Sequence, residues 1–274
     1  MNNNKDKNND TTWGKVANWY DGYLNDPDSY QAKVIYPNLF RLLNLKTSDS
    51  VLEIGCGQGY FLNKFYSHAK NLTGIDIGQE LIDIAKSKNK NINYIVCSAD
   101  DENILPEKSF DIITIILALQ NIKNLDAVSK NVSRLLKKDG RAYIVLNHPT
   151  FRIPQHSDWG FDEKKKNQYR KIDAYLSQLE IHIDMNPGAE FLASNSASRR
   201  TTKFLDKKQF TKSFHRSLQV YSKSFVKNNL VISKIEEWIS HKKSKSGARA
   251  DAEDLARKEI PMFMCLELKK YEIL

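Results

Sequence analysis

From Val51 onward the apolar positions switch period in a regular alternation. VLEIG (51–55) is a short apolar run with strand character, and QGYFLNKFYSHA (58–69) places Phe61, Leu62 and Phe65 on one helical face. NLTGID (71–76) reads as a strand, and GQELIDIAKSK (78–88) sets Leu81, Ile82 and Ala85 on one face of a second helix. INYIVC (92–97) and FDIITIIL (110–117) are strands three and four. LDAVSKNVSRLLKK (125–138) carries Leu125, Val128, Val132, Leu135 and Leu136 at helical spacing, with basic residues at the end that the helix dipole favours. Gly140 is expected to stop that helix, and RAYIVLN (141–147) is a fifth strand.

Beyond Asn147 the alternation fades. Breakers at Pro149, Pro154, Gly160 and Pro187–Gly188 interrupt residues 148–206. Within them, DEKKKNQYRKIDAYLSQL (162–179) fits a helix through Tyr169, Ile172, Tyr175, Leu176 and Leu179. KKQFTKSFHRSLQVYSKSFVKN (207–228) also reads as a helix, VISKIEEWI (231–239) as a strand, and MFMCLELKK (262–270) as an alternating terminal strand. The connection between those strands is too long for a tight hairpin, and its ADAEDLARKE segment is helical in pattern. YQAKVIYPNLFRLLNL (30–45) reads as one helix or a broken pair capping the sheet. Strand and helix alternating in this way predict an α/β fold: a doubly wound, mostly parallel, seven-stranded Rossmann-like sheet with right-handed crossovers. The expected divisions are a disordered tail (1–12), a helical cap (13–50), a ligand-binding core (51–147), an inserted lid (148–206) and the C-terminal part of the core sheet (207–274). No internal repeat and no second independent domain is apparent.

Composition narrows the picture little. The 274 residues, 41% of them hydrophobic, suit one large domain with an insertion. DIITIILAL (111–119) is the longest apolar run, well short of the ~18–20 residues a membrane span needs. MNNNKDKNND has no apolar h-region, so no signal peptide is expected. Cys56, Cys97 and Cys265 are odd in number and form no CxxC pair, which argues against a disulfide framework or a metal site and for a reducing cytoplasm. A net charge of +9 raises the question of nucleic acid, but the densest clusters, KKK (164–166) and HKKSK (241–245), lack interleaved aromatics. A solvated surface is the favoured reading. Oligomeric state is not legible.

Candidate chemistry gathers at the end of the first strand. VLEIGCGQG holds Gly55, Gly57 and Gly59 after Glu53, at the carboxyl edge where ligands bind such sheets. Small residues there either let the helix pack closely on the strand or let backbone approach a ligand. The dinucleotide pattern G-x-G-x-x-G wants glycine or alanine where this chain has Tyr60. Asp76 ends the second strand, where its carboxylate would either accept both hydroxyls of a ribose or cap the helix beginning near Gly78. CSADD (97–101) offers small residues and acids at the end of the third strand.

VLEIGCGQG, GID (74–76), CSADDENILPEKSFDIIT (97–114) and LLKKDGRAYIV (135–145) together resemble the ordered motifs of the class I S-adenosylmethionine-dependent methyltransferases over about a hundred residues. That resemblance implies S-adenosylmethionine as cofactor. Gly55, Gly57 and Gly59 would pass near its methionine and sugar, and Glu53 would orient the turn or reach the methionine amine. Asp76, followed by Ile77, would hold the ribose, and Ser98–Ala99–Asp100 would meet adenine, with Ser98, Asp100 and Asp101 alternative contacts. WGKVANWYDGYL (13–24) resembles the aromatic entry segment of quinone-biosynthesis-type small-molecule methyltransferases, with Tyr20 closing over the cofactor and Tyr30 a second candidate. Trp13, Trp19 and Tyr20 could equally anchor the tail. LALQNI (117–122) follows the fourth strand, which places Leu117 by the cofactor and Gln120 by the acceptor.

Methyl transfer is an in-line displacement in which alignment matters most and a base is needed only if the acceptor must lose a proton. NHPTFRIPQHSDWG (147–160) brings His148, His156, Phe151, Arg152 and Trp159 to the ligand edge. His148 is the candidate base, or else it only satisfies loop carbonyls; His215 is a second polar candidate, or a core or surface histidine. No aromatic-proline tetrapeptide follows the fourth strand, which disfavours amino-methylation of DNA or glutamine. The expectation is therefore a methyltransferase acting on a small-molecule acceptor by O-, C- or N-methylation. The rivals are an RNA or protein methyltransferase and a non-catalytic cofactor-binding module.

Overall fold

A computed structural model describes residues 24, 26–102, 105–184 and 210–271. The expected disordered tail, Trp13, Trp19 and Tyr20 lie outside the described residues. The alternation through residues 51–147 builds the sheet core: β1 (Ser50–Ile54), β2 (Asn71–Asp76), β3 (Asn93–Val96), β4 (Phe110–Ile116) and β5 (Leu136–Asn147). β10 (Leu230–Trp238) and β11 (Phe263–Lys270) complete it, in the order β10-β11-β5-β4-β1-β2-β3. The five core strands pair in parallel, and β11 runs antiparallel between β5 and β10. Chain order departs to opposite sides of β1, through β2 and through β4, so the crevice at the carboxyl ends of β1 and β4 is the topological switch point where ligands bind.

Successive side chains of a strand face opposite ways, and both faces are apolar. Val51, Ile112, Ile116, Tyr143 and Val145 pack with Leu39 and Leu43 of α1 (Tyr36–Leu43), Leu62 and Phe65 of α2 (Tyr60–Phe65), and Ile82 and Ala85 of α3 (Gln79–Lys88). Leu52, Ile54, Ile113, Ile115 and Ile144 pack on the other side with Val128, Val132 and Leu135 of α4 (Leu125–Leu135) and Tyr221 and Phe225 of α5 (Leu218–Lys227). Each such side chain removed from water contributes roughly 1.5–3 kcal/mol. The segment before β1 is a broken helix: a π-helical turn, Gln31–Ile35, runs into α1 with Pro37 in its first turn. ADAEDLARKE is helical as expected, forming α6 (Ala250–Glu259).

Three expectations are corrected. Gly140 does not end α4; the helix stops at Leu135, and Gly140 lies within β5. Phe110 pairs with Leu136 but Ile112 with Arg141, so residues 137–140 bulge outward and regular pairing resumes at Arg141. A Cβ on Gly140 would come within 3.0 Å of the Phe110 carbonyl oxygen, which accounts for the glycine. The helix expected over 162–179 is instead a hairpin of β6 (Ser157–Asp162) and β7 (Asn167–Ile172). NQYRKI alternates exposed and half-buried residues, and that period of two prevails over the sparse helical spacing. Likewise FTKSFH forms β9 (Phe210–His215), paired antiparallel with β8 (Leu179–Asp184), and only residues from Leu218 onward are helical. The insertion therefore extends past residue 206, because β9 belongs to its small sheet and not to the core sheet. Among the described residues no helix is long and apolar enough to cross a membrane.

Candidate cofactor cavity at the sheet edge

A cavity of about 430 Å³ opens at the carboxyl ends of β1, β2, β3 and β4. Its wall contains Gly55, Gly57, Asp76, Ile77, Ser98, Ala99, Asp100 and Leu117, eight of the residues expected to meet the cofactor. The volume lies within the few hundred to a thousand Å³ of small-molecule sites. A depression of about 680 Å³ beside it shares Lys123 and Asn124 with its wall.

The three glycines are glycine for different reasons. All have positive φ: +72° at Gly55, +51° at Gly57 and +72° at Gly59. A Cβ on Gly55 would lie 2.5 Å from the Ala118 Cβ, and one on Gly59 would lie 2.2 Å from the Tyr94 hydroxyl oxygen. At Gly57 nothing lies within 4 Å. Gly59, which does not line the cavity, is thus a packing glycine beneath the turn, whereas Gly57 turns bare backbone toward open cavity.

Asp76 organises this edge. Its Oδ2 accepts the Gly57 N–H at 2.9 Å and its Oδ1 the Gly78 N–H at 2.8 Å, the latter at the start of α3. Burial raises its pKa, and the backbone N–H groups of Gly78, Gly57 and Ile77 oppose that shift. Glu53 is 2% exposed, its Oε2 has no partner, and burial pushes its pKa well above the ordinary carboxylate value. A backbone hydrogen bond from Leu62 opposes that rise, and the nearby Asp76 charge adds to it. An unpartnered buried carboxyl oxygen beside a glycine turn suits an ammonium or N–H group of a bound ligand.

Ser98 donates its hydroxyl to Asp100 Oδ1, and both line the cavity, whereas Asp101 does not. Leu117 adopts a left-handed conformation, φ +53°, with its N–H donated to Val145 O at 2.8 Å, which fixes the cavity rim to β5. Strained backbone of this kind persists where surrounding structure holds it, commonly at binding sites.

The expected acceptor residues are not brought to the cavity wall. In the helical turn Leu119–Asn121, Leu119 is fully buried and Asn121 reaches the wall. Gln120 instead donates Nε2–H to Leu117 O at 3.0 Å. His148 is 2% exposed with both nitrogens engaged: Nδ1 accepts the N–H groups of Thr150 (3.2 Å) and Phe151 (3.3 Å), so Nε2–H donates to Glu237 Oε1 (2.7 Å). Burial lowers its pKa despite the carboxylate. The imidazole thus satisfies loop N–H groups and not the expected loop carbonyls, and with Nδ1 engaged in this way no ring lone pair is left free. Phe151 packs on that imidazole at 4.7 Å, and Arg152 and Trp159 stack on one another further along the same edge. His156 pairs with Asp173 and His215 with Tyr175 O, both outside the wall. Tyr30 bonds Ser240 Oγ at 3.1 Å, also away from it.

Sequence reasoning missed Cys97, Ala118 and the Asn121–Asn124 rim. The rim follows β4 on the same edge as LALQ, and that position was the available signal. Arg216, 6% exposed, holds it by donating to Ile122 O and Lys123 O, each at 2.8 Å.

The family described as "Methyltransferase domain" matches residues 52–144. The chain is 34% identical over 120 residues to a demethylmenaquinone methyltransferase of Lactobacillus johnsonii, covering 40% of this chain and 49% of that one. It is 32% identical over 108 residues to a ubiquinone biosynthesis O-methyltransferase of Coxiella burnetii, covering 37% and 45%. The matches thus span about half the length of these relatives. An S-adenosylmethionine-dependent methyltransferase from Mesorhizobium loti shares the fold, with TM-score 0.63 over 85% of this chain and 96% of that one at 20% identity. Residues 52–144, the segment that builds most of β1 to β5 and this cavity, therefore match a methyltransferase domain, and the chain has the fold of S-adenosylmethionine-dependent methyltransferases.

Proposed function

We propose that the protein transfers a methyl group from S-adenosylmethionine to a small-molecule acceptor by O-, C- or N-methylation. The observation that carries this reading is the placement of Asp76 between the bare Gly57 backbone and the Ser98–Asp100 segment on one cavity wall. Asp76 Oδ2 accepts from Gly57 and Oδ1 from Gly78, and the carboxylate lone pairs left over would accept from ribose hydroxyls, in charge-assisted bonds of roughly 1.5–3 kcal/mol. Ser98, Ala99 and Asp100 would border the adenine, with Leu117 against its apolar surface. Gly55 and Gly57 would admit the methionine portion, and Glu53 Oε2 would accept from its ammonium through the turn.

When bound, the cofactor would supply an electrophilic methyl on sulfonium sulfur for an electron pair on an acceptor oxygen, nitrogen or carbon, the sulfur keeping the electrons of the broken bond. The chain's own task is alignment, which supplies up to roughly 7–11 kcal/mol of such a barrier. No histidine lines the cavity among the described residues, so the reading assigns no protein base, and His148 is a support for the loop after β5. The hairpin β6–β7 and the β8–β9 pair form the candidate lid.

The basic clusters give little support to a nucleic-acid acceptor. Lys166 pairs with Glu163 at 3.2 Å, and Lys242 and His241 both engage Asp28. Incubation with methyl-tritiated S-adenosylmethionine and a fractionated metabolite extract tests the reading. Label should appear in a small molecule with stoichiometric S-adenosylhomocysteine. Label confined to RNA or protein fractions would contradict the acceptor class.

A further inference from the structure

Two arginines share one indole on the loop side of the insertion. The guanidinium carbon of Arg152 lies 5.4 Å from the Trp159 ring centroid and that of Arg170 lies 5.1 Å from it. Arg170 is fixed: its Nε donates to Phe151 O at 2.8 Å, and its Nη2 to Ser157 Oγ at 2.7 Å and Ser157 O at 3.2 Å. It thereby clamps β7 and β6 to the turn that carries Arg152. Arg152 is half-buried, and among the described residues its buried Nε has no acceptor and its side chain stacks on the Trp159 ring.

Neither guanidinium has a carboxylate in ion-pair contact among the described residues. Asp158 acts on Arg170 through its field, and its Oδ1 is taken by the Trp159 N–H at 2.7 Å. Arg257 adds further positive potential at Arg152, but Arg257 is itself paired with Asp254 and Glu253. Burial, then the charge of Arg170, holds the Arg152 guanidinium below its usual pKa. A ring face compensates a desolvated cation in part, but two adjacent cations with no carboxylate in contact are an unsatisfied arrangement that an anion would complete.

The place is suited to an acceptor. The turn follows β5 directly, with Arg152 N–H donated to His148 O at 2.8 Å. β5 lies beside β4, whose end carries Leu117 and Ala118 of the cavity wall. The pair and the cavity therefore stand on one sheet edge.

We propose that the methyl acceptor is an anion whose carboxylate or phosphate docks against Arg152 and Arg170 beside the Trp159 indole. This deepens the methyl-transfer reading and rests on it. The planar guanidinium fork matches either group in a bidentate pair, and the indole and Phe151 offer apolar surface to an attached ring or chain.

Calorimetric titration of the S-adenosylhomocysteine-saturated protein with benzoate, phenyl phosphate and benzamide, at constant ionic strength, tests the inference. At least one anion should bind about tenfold or more tightly than benzamide, a difference of ~1.4 kcal/mol. The ranking of benzoate against phenyl phosphate identifies the preferred oxyanion. Arg152→Gln should erase the preference, Arg152→Lys should keep part of it, and Lys165→Ala, on the exposed hairpin turn, should leave it unchanged. Equal binding of acid and amide, no binding of either anion, or a preference that survives Arg152→Gln would overturn the proposal. Anion binding in a protein that does not take up S-adenosylhomocysteine would leave the arginine pair standing, sink the methyl-transfer reading and with it the acceptor assignment.

Discussion

The carboxylate of Asp76 accepts the backbone N–H of Gly57 across the cleft at 2.9 Å. With its other oxygen on Gly78, one side chain ties the β1–α2 turn to the start of α3. Of the two readings that the sequence leaves as alternatives, the helix cap is not made, because Oδ1 accepts from the N-cap residue Gly78 itself and no side chain caps the first turn of α3, which leaves the ribose reading open. The carboxylate proposed to grip the ligand is the one that ties these two parts of the cavity wall together, so its removal should affect both.

Gly57 and Gly59 should separate ligand function from packing. Gly57→Ala places a methyl in open cavity at positive φ, costing roughly 1–2 kcal/mol of stability for the backbone conformation. It should weaken S-adenosylhomocysteine binding about tenfold or more. Gly59→Ala meets the Tyr94 ring as well as the positive φ and should destabilise by a further ~1–3 kcal/mol, with a smaller effect on affinity per folded molecule. Urea unfolding and ligand titration of both variants check this.

Glu53 should make the unliganded protein less stable as pH rises. Its folded pKa is raised, so above the unfolded value near 4.5 the native state binds more protons than the unfolded one. Stability attributable to this group is present at low pH and is lost from pH 4.5 upward through the folded pKa. Glu53→Gln, neutral throughout, should therefore raise Tm more at pH 8 than at pH 5. An equal shift at both pH values would mean that Glu53 is not held protonated.

His148→Ala should lower Tm, because it removes the acceptor of two backbone N–H groups and frees Glu237, interactions worth roughly 1–3 kcal/mol together. The pH dependence of turnover, measured on the folded fraction, should keep its shape. Loss of a limb near neutral pH would restore His148 as a base.

Arg216→Met should loosen the rim. Two charge-assisted bonds to the carbonyls of Ile122 and Lys123 disappear, each worth roughly 1.5–3 kcal/mol, and S-adenosylhomocysteine affinity should fall several-fold although Arg216 does not line the cavity. Unchanged affinity would show that the rim holds without it.

The parallel core was legible because each buried strand is a continuous apolar run and each helix carries its apolar residues at i, i+3, i+4. Asp76 and the glycine turn follow from that order, since the carboxyl ends of adjacent strands share an edge. The insertion was not legible for the opposite reason. NQYRKI is half-buried at best and the buried face of FTKSFH is made of the polar Thr211, Ser213 and His215, so their alternation is visible only once pairing partners are known. Sequence gives the place of His148 after β5 but not the turn that folds Thr150 and Phe151 back onto Nδ1. Gln120 and Asn121 differ by one residue in a tight turn, a resolution that periodicity does not reach.

The central claim is that this cavity holds S-adenosylmethionine through Asp76. Calorimetric titration of S-adenosylhomocysteine, with NADH as control, into the wild type and Asp76→Ala tests it most directly. The account predicts saturable binding of the adenosyl ligand alone, weakened at least about tenfold, or ~1.4 kcal/mol, in a variant that still unfolds cooperatively. Binding of NADH in its place, or equal affinity in the folded variant, would contradict it.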